Sequence, residues 1–491
     1  MADMAPLASA AGVAGAECMV ATGHPLASQA ALRMLRAGGS AVDAAIAADA
    51  VLGVVEPMAT GIGGDMLAMV VQADGTPVSY NGTGRAPAGL DAALVSALPG
   101  ARIPERHPYT VTVPGAVRGW HDMHHRFGRL PWPALFQPAI AAARDGFAVA
   151  PVCAREWALF ARVLLRDAAS STLYRANAPP RAGERFANPA LAGVLQAIAA
   201  EGPDSFYLGV PARAAAAQVQ ALGGVLAAED FAAHTGDFRT PASTQFQGLT
   251  VLECPPNTHG VAVLRALDTL ARQDLSPQDP HTTVRAVQAM DEAMQWAQQT
   301  VADPAGNTVC TAIVDRDGLG VSLMTSVFKR FGSGIAAPGC GFVLQNRGFG
   351  FSAPGHINGP APRKRPYHTV VPGAALREGR LHAVFGVVGG AMQPQGQLQL
   401  LLRLAAWGEP LQAALDAPRW RLESAGALAI EAGTPPPVEQ ALRAAGYADP
   451  AGMGELGGRS DFGGAQWITR QPDGLLCGAS DRRKDGVAAG W

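Results

Sequence analysis

Asn307-Thr308, at the head of GNTVCTAIVDRDGLGVSLMTSVFKRFGSG, is the point in this 491-residue chain where residue type and order offer chemistry. A threonine hydroxyl is a weak nucleophile until a base lies beside it. A free α-amine on the same residue, with an ordinary pKa of about 7.7–8.0, is such a base. That amine exists only once the preceding peptide bond is broken. The pair therefore predicts a zymogen: the Thr308 hydroxyl attacks the Asn307 carbonyl, an ester forms, and water opens it. One residue then holds both nucleophile and base. Taken alone, an Asn-Thr pair reads far more readily as ordinary β-branched strand sequence, so the neighbourhood has to decide.

Thr308 to Val314 is apolar and β-branched, Asp315 to Gly318 reads as a turn, and Val321 to Val327 as a second strand, which together predict a hairpin. The return strand brings Thr325 and Ser326 towards Thr308, and the two-residue period of a strand lets only one of them point that way. Phe331-Gly332-Ser333-Gly334 reads as a tight turn. Further on, Gly386-Val387-Val388-Gly389-Gly390 follows the apolar run Leu381 to Phe385. A glycine pair lets backbone amides approach a ligand closely, as an oxyanion hole requires, although a Gly-Gly pair by itself is a turn.

In order along the chain come GHPLASQAALRMLRAGGSAVDAAIAADAVLGVVEPMATGIGGDM, VPGAVRGW, PAIAAARDGFAV, DSFYLG, ALGGVLAAEDF, the Asn-Thr hairpin, RKRPYHTVVPG, FGVVGGAMQPQGQLQ and ALDAPRW. Together they resemble the γ-glutamyltranspeptidase family of N-terminal nucleophile hydrolases over nearly the whole chain, closest to its transpeptidase-like amidohydrolase and acylase branch. The resemblance places the nucleophile on Thr308, its helper hydroxyl on Ser326 and the oxyanion amides on Gly389 and Gly390. It implies cleavage at Asn307-Thr308 into a large subunit, residues 1–307, and a small catalytic one, 308–491, that stay intertwined as a heterodimer. No cofactor or metal is implied.

The substrate end departs from the family pattern. The carboxylate-binding arginine falls on Thr83, with Arg85 two residues on. A glutamine becomes Arg347, the acid that grips a glutamyl ammonium becomes Gly350, and two serines become His368 and Thr369. A buried ammonium without its acid costs several kcal/mol, whereas an added arginine favours an anion. The expected substrate is a small acid amide or N-acyl compound bearing a carboxylate. True γ-glutamyl transfer or glutathione hydrolysis is the rival chemistry, and a catalytically inactive metabolite-binding relative is the rival of another class.

Composition sets wider bounds. With 48% hydrophobic and 16% charged residues the chain can bury a large core. A formal charge of −2 offers no polybasic face for nucleic acid or an anionic membrane. Six scattered cysteines without a CxxC pair predict reduced thiols rather than a zinc cluster or disulfide framework. The alanine-rich start lacks a basic n-region and no run of about 18 apolar residues occurs, from which a cytoplasmic location and no membrane span are expected. Gly61-Ile62-Gly63-Gly64-Asp65 lacks both phosphate-loop and dinucleotide spacing, and reads as a loop lining the pocket. His121 and His125 have the i, i+4 spacing metals use, but without HExxH wording they read as a solvated helix face. Arg363, Lys364 and Arg365 read as a solvated or salt-bridged basic run.

Helix-period segments at Pro25 to Leu35, Ala41 to Leu52, Pro138 to Asp145, Leu191 to Ala200 and Pro211 to Leu222, with hairpins beyond, predict an α/β fold. Without strand-helix alternation, these favour a layered α/β sandwich with antiparallel sheets at its centre; the family resemblance implies its four-layer αββα form. Ala168 to Glu184 reads as an exposed connection.

Overall fold

The computed structural model describes residues 12–301, 307–423, 427–447 and 462–491, with Asn307 and Thr308 described by backbone alone. Two seven-stranded sheets form its centre, and every strand pair in them is antiparallel. The first runs Val487–Gly490, Met19–Thr22, Asn307–Val314, Gly320–Phe328, Asp65–Val71, Pro77–Gly82, Asp237–Arg239. The second runs Val13–Gly15, Leu476–Ser480, Gly464–Arg470, Arg380–Val388, Gly373–Arg377, Leu249–Glu253, Ala242–Phe246.

Strands buried on both faces need residues that are apolar or hydrogen-bonded within the protein. Met19 to Thr22 and Asp65 to Val71 are buried throughout. Between the sheets lies a dry layer that includes Met19, Leu67, Met69, Cys310, Met324, Val384 and Ile468. Helices Pro25–Arg36 and Ala41–Val55 cover the outer face of the first sheet. Gly260–Leu270, Pro280–Thr300 and Met392–Leu401 cover that of the second. The expected αββα sandwich is the fold observed.

Helix Ala41–Val55 is buried all round and begins at a capping box: the Ser40 hydroxyl accepts from the Asp43 amide and the Asp43 carboxylate accepts from the Ser40 amide. Asp315, in the hairpin turn, accepts from the Ala41 amide at 2.9 Å, which ties the hairpin that begins at Asn307 to the helix over it. The expected helices form, the third beginning earlier than its periodicity suggested, at Trp132, with Pro138 inside it. The connection Ala168 to Glu184 is a correction. It contains helix Ala168–Leu173, and Tyr174 is buried against Trp157, Phe186 and Phe331 with its hydroxyl donating to the Gly341 carbonyl. All six cysteines are free thiols, and no helix of the described residues is long and apolar enough to cross a membrane.

Candidate active site

Asn307 pairs with Phe328 and Val309 with Thr325, so Thr308 alone stands opposite two residues, Ser326 and Val327. One residue against two is a β-bulge, the device by which a ladder re-aims a side chain beside a site. The return strand leaves the bulge through Phe328, whose φ of 77° is a conformation rarely adopted by a non-glycine residue and marks stored strain.

The alternation of the return strand separates its two hydroxyls. Thr325 faces the covering helix, donating to Asp49 at 2.6 Å and bonding Thr60, while the Trp120 indole donates to the other Asp49 oxygen at 2.7 Å. Burial pushes the Asp49 pKa up to about 7 despite these donors. Ser326 faces the opposite way and accepts from Arg347 at 3.1 Å and from the Phe328 amide at 2.9 Å.

Arg347 is the hub of that side. Its guanidinium is fully buried, donates to the Ser326 and Thr369 hydroxyls at 3.1 Å each, and lies with its carbon 4.1 Å from the centre of the Phe328 ring. Burial lowers its pKa to about 9, still charged at neutral pH; the opposing influence is Asp65, whose carboxylate comes no closer than 3.8 Å. Asp65 is occupied elsewhere. Its Oδ1 accepts from the Gly84 amide at 2.7 Å and Gln345 Nε2 at 2.8 Å, and its Oδ2 from His368 Nε2 at 3.1 Å. Burial works against the Asp65 charge, but the His368 hydrogen bond, the Arg347 charge and the Gln345 bond outweigh it and hold its pKa below the usual carboxylate value.

His368 is also fully engaged. Its Nδ1 accepts from the Val370 amide at 3.2 Å, which places the proton on Nε2, facing Asp65. Burial and the nearby Arg347 charge push its pKa down to about 4, so the ring is neutral. The backbone beneath it is bolted to the Cys254 to Gly260 turn: the His368 amide donates to the Asn257 carbonyl at 2.6 Å, and His259 Nε2 meets the Thr369 carbonyl at 3.1 Å.

Thr83 is buried near this cluster, with Asn257 Nδ2 3.5 Å from its hydroxyl and Arg365 Nε donating to its carbonyl at 3.0 Å. Arg85 is placed apart. It is half-exposed and reaches the Arg363 carbonyl at 3.5 Å, away from Arg347. The basic run is bonded rather than only solvated: Lys364 donates to the Ile357 and Gly359 carbonyls, and Arg365 pairs with Asp237. Gly350 carries no acid, and a Cβ there would stand 3.0 Å from the Tyr367 carbonyl oxygen.

Gly389 and Gly390 join strand Arg380–Val388 to helix Met392–Leu401 with φ of 121° and 64°, both in the region that favours glycine. Neither amide donates to another described residue. They sit where a helix N-terminus adds its own positive field. Sequence reading missed Asp65, Gln345 and Asn257. The only signal for Asp65 was an acid closing a glycine loop just before an apolar strand.

An antiparallel αββα sandwich, a strand-opening threonine in a bulge and a glycine pair at a helix start define an enzyme class: the self-processing amide hydrolases with a threonine N-terminal nucleophile. Within it, the chain belongs to the γ-glutamyltranspeptidase family, whose model, described as Gamma-glutamyltranspeptidase, matches residues 27–306 and 298–491. It is 35% identical to the oxamate amidohydrolase proenzyme of Klebsiella pneumoniae subsp. pneumoniae, covering 96% of this chain and 98% of that protein. It is 31% identical to the glutathione hydrolase-like YwrD proenzyme of Bacillus subtilis, covering 97% and 99%. Among solved structures, cephalosporin acylase from Bacillus halodurans superposes with a TM-score of 0.92 at 34% identity, covering 98% of this chain and 97% of that one.

Proposed function

We propose that Thr308, freed by cleavage after Asn307, hydrolyses the amide of a small acid whose acyl group carries a carboxylate close to the scissile carbonyl. In the first step the Thr308 hydroxyl oxygen bonds to the amide carbon and its proton passes to the Thr308 α-amine. Gly389 and Gly390 amides hold the oxyanion. Collapse breaks the carbon–nitrogen bond, and the leaving nitrogen takes the proton from the amine, departing as ammonia or an amine. Water then opens the Thr308 ester by the same route, giving the acid and restoring the enzyme. Ser326 aims the Thr308 hydroxyl, and Thr83 and Thr369 line the acyl end beside Arg347 and His368.

The observation that carries this reading is Arg347: a fully buried charge whose hydrogen bonds go to two neutral hydroxyls, with its nearest carboxylate 3.8 Å away and bonded to three other donors. A substrate carboxylate would complete the pair. Because Arg347 is one hydroxyl away from the strand position opposite Thr308, that carboxylate belongs within a few bonds of the reacting carbon. Oxamate, the substrate in the name of one relative, is the shortest acid amide that meets this requirement. Glutathione hydrolysis, the activity in the name of another relative, is the second reading. The absence of an acid at Gly350 speaks against it, since the glutamyl ammonium would be buried unpaired.

Thr308→Ala is expected to remain one polypeptide on a denaturing gel, where the parent gives two fragments divided after Asn307, and to turn over nothing. Arg347→Met should process normally but lose about 100-fold or more in kcat/KM on monoamides of two- to four-carbon diacids. An enzyme that prefers glutathione to those monoamides would overturn the acid-amide reading.

A further inference from the structure

Phe328 has two cations beside its ring. Arg347, fully buried, lies 4.1 Å from the ring centre, and Lys329 Nζ stands 5.7 Å from the same centre. The Lys329 ammonium is also 5.6 Å from the centre of Phe349, whose ring is tilted 47° to Phe328 at 6.2 Å. Burial grades outward along this line: Arg347 is 0% and Phe328 1% exposed, while Lys329 and Phe349 are partly open to solvent. An ammonium over aromatic faces is attracted by their π-density. Yet Lys329 has neither an ion pair nor a side-chain hydrogen bond among the described residues, and burial draws its pKa down.

The charges facing Lys329 leave the surroundings positive. Glu105 is paired with Arg106 at 2.8 Å, Arg421 with Glu423 at 3.2 Å, and Arg347 in part with Asp65 at 3.8 Å, so Lys329 is the cation of this group without a carboxylate among the described residues. A partly exposed cation and a buried, incompletely paired one beside the same ring set up a field that draws an anion inward. An acid near the outer one is already drawn towards the inner one.

We infer that Lys329 is a specificity-determining residue that captures the substrate's carboxylate at the outer side of Phe328 and passes it to Arg347. The proposal rests on the reading of Arg347 as the acid receptor. It requires Lys329 to act on encounter with the anion rather than on chemistry at Thr308, and hence on KM and its salt dependence rather than on kcat.

The test compares processed parent enzyme, Lys329→Met and Lys329→Arg on the monoamides of two- to four-carbon diacids and on the matching neutral diamides, from low salt to about 0.3 M, where exposed charges are screened within about a nanometre. The methionine can still pack between the two rings. Lys329→Met is expected to raise KM for the monoamides about tenfold at low salt with kcat within about twofold, and to flatten the salt dependence of kcat/KM. Lys329→Arg should keep both. The diamides should be indifferent to all three changes. Equal losses on monoamide and diamide, a loss confined to kcat, or an unaltered salt dependence in Lys329→Met would overturn the role of Lys329 while leaving that of Arg347 standing. A parent enzyme that shows no preference for monoamide over diamide would take both down.

Discussion

At Asp65 and His368 the hydrogen-bond geometry decides what each side chain is free to do. Asp65 accepts three hydrogen bonds, from Gly84, Gln345 and His368, and with the Arg347 guanidinium 3.8 Å away both of its oxygens are committed within the protein. The acid missing at Gly350 is therefore not restored by the acid at Asp65; Asp65 fixes the cluster and offsets part of the Arg347 charge. His368 has one nitrogen accepting and the other donating, so it holds Asp65 in place rather than moving a proton. Its folded pKa of about 4 lies below the ordinary imidazole value, so its stabilising share is present above about pH 6.5 and is lost as pH falls through 4. His368→Gln should lower the unfolding midpoint, by about 1–3 kcal/mol if one donor–acceptor pair is lost. On the proposed mechanism, in which the Thr308 amine is the base, the acid limb of kcat/KM against pH should stay where the parent has it. A limb that moved would give His368 a part in the chemistry.

The helix that carries the glycine pair is held by its glutamines. Gln393 Oε1 accepts from the Val371 amide at 3.0 Å and Gln397 Nε2 donates to the Val371 carbonyl at 2.7 Å. On the opposite face of the helix, Gln395 accepts from the Leu422 amide at 2.6 Å and donates to its carbonyl at 3.3 Å, and Gln399 does the same for Trp420 at 3.0 and 2.9 Å. Side chains thus replace the strand partners that Val371 and Trp420–Leu422 lack on that side. Gln395→Leu should leave two buried backbone groups unpaired, cost about 1–3 kcal/mol by denaturant titration, and lower kcat more than KM, since the start of the helix sets where Gly389 and Gly390 point. Equal changes in both constants would mean that the clamp stabilises without aligning. The glutamine run in GGAMQPQGQLQ was plain as a family motif, yet its purpose was not, because the bonds reach Val371 and Leu422 through space. The hairpin at Thr308 was legible, since Asp315-Arg316-Asp317-Gly318 has turn chemistry and its flanks are β-branched; so was helix Ala41–Val55, from the helix-period segment Ala41 to Leu52. The bulge at Thr308 was not, because register depends on the partner strand. Asp65 was read only as part of a loop because its partners, Gln345 and His368, come 280 and 303 residues later. Tyr174 was mistaken for part of a surface connection because its aromatic neighbours Phe186 and Phe331 arrive from separate segments.

Across the whole molecule, segments from both sides of Asn307-Thr308 interleave in each sheet. Asn307–Val314 lies between Met19–Thr22 and Gly320–Phe328, and Gly320–Phe328 pairs along seven positions with Asp65–Val71. Cutting one peptide bond leaves these ladders whole, which is how two fragments would remain one body. A buried ionic cluster adds to the join: Glu156 meets Arg330 at 2.6 Å and Lys484 at 3.3 Å, while Asp485 accepts from the Val152 and Cys153 amides. Burial works against the Glu156 charge, but Arg330 and Lys484 outweigh it and bring its pKa to about 2. Glu56, at the end of helix Ala41–Val55, fares differently in the same cluster. Burial raises it to about 7, since the Lys484 charge is shared with Glu156 and Asp485. A carboxyl whose folded pKa exceeds its unfolded value of 4.5 favours the fold while protonated; that contribution is complete below about pH 4.5 and disappears as pH climbs through 7. Above that, folding must bury a charge, at a cost on the order of 3 kcal/mol by pH 8. Glu56→Gln keeps the shape and removes the titration. Its unfolding midpoint should exceed the parent's at pH 8, with the advantage shrinking as pH falls and gone by about pH 5. An advantage that did not vary with pH would show that Glu56 is charged in the fold throughout, with the cluster's cations serving it as fully as they serve Glu156.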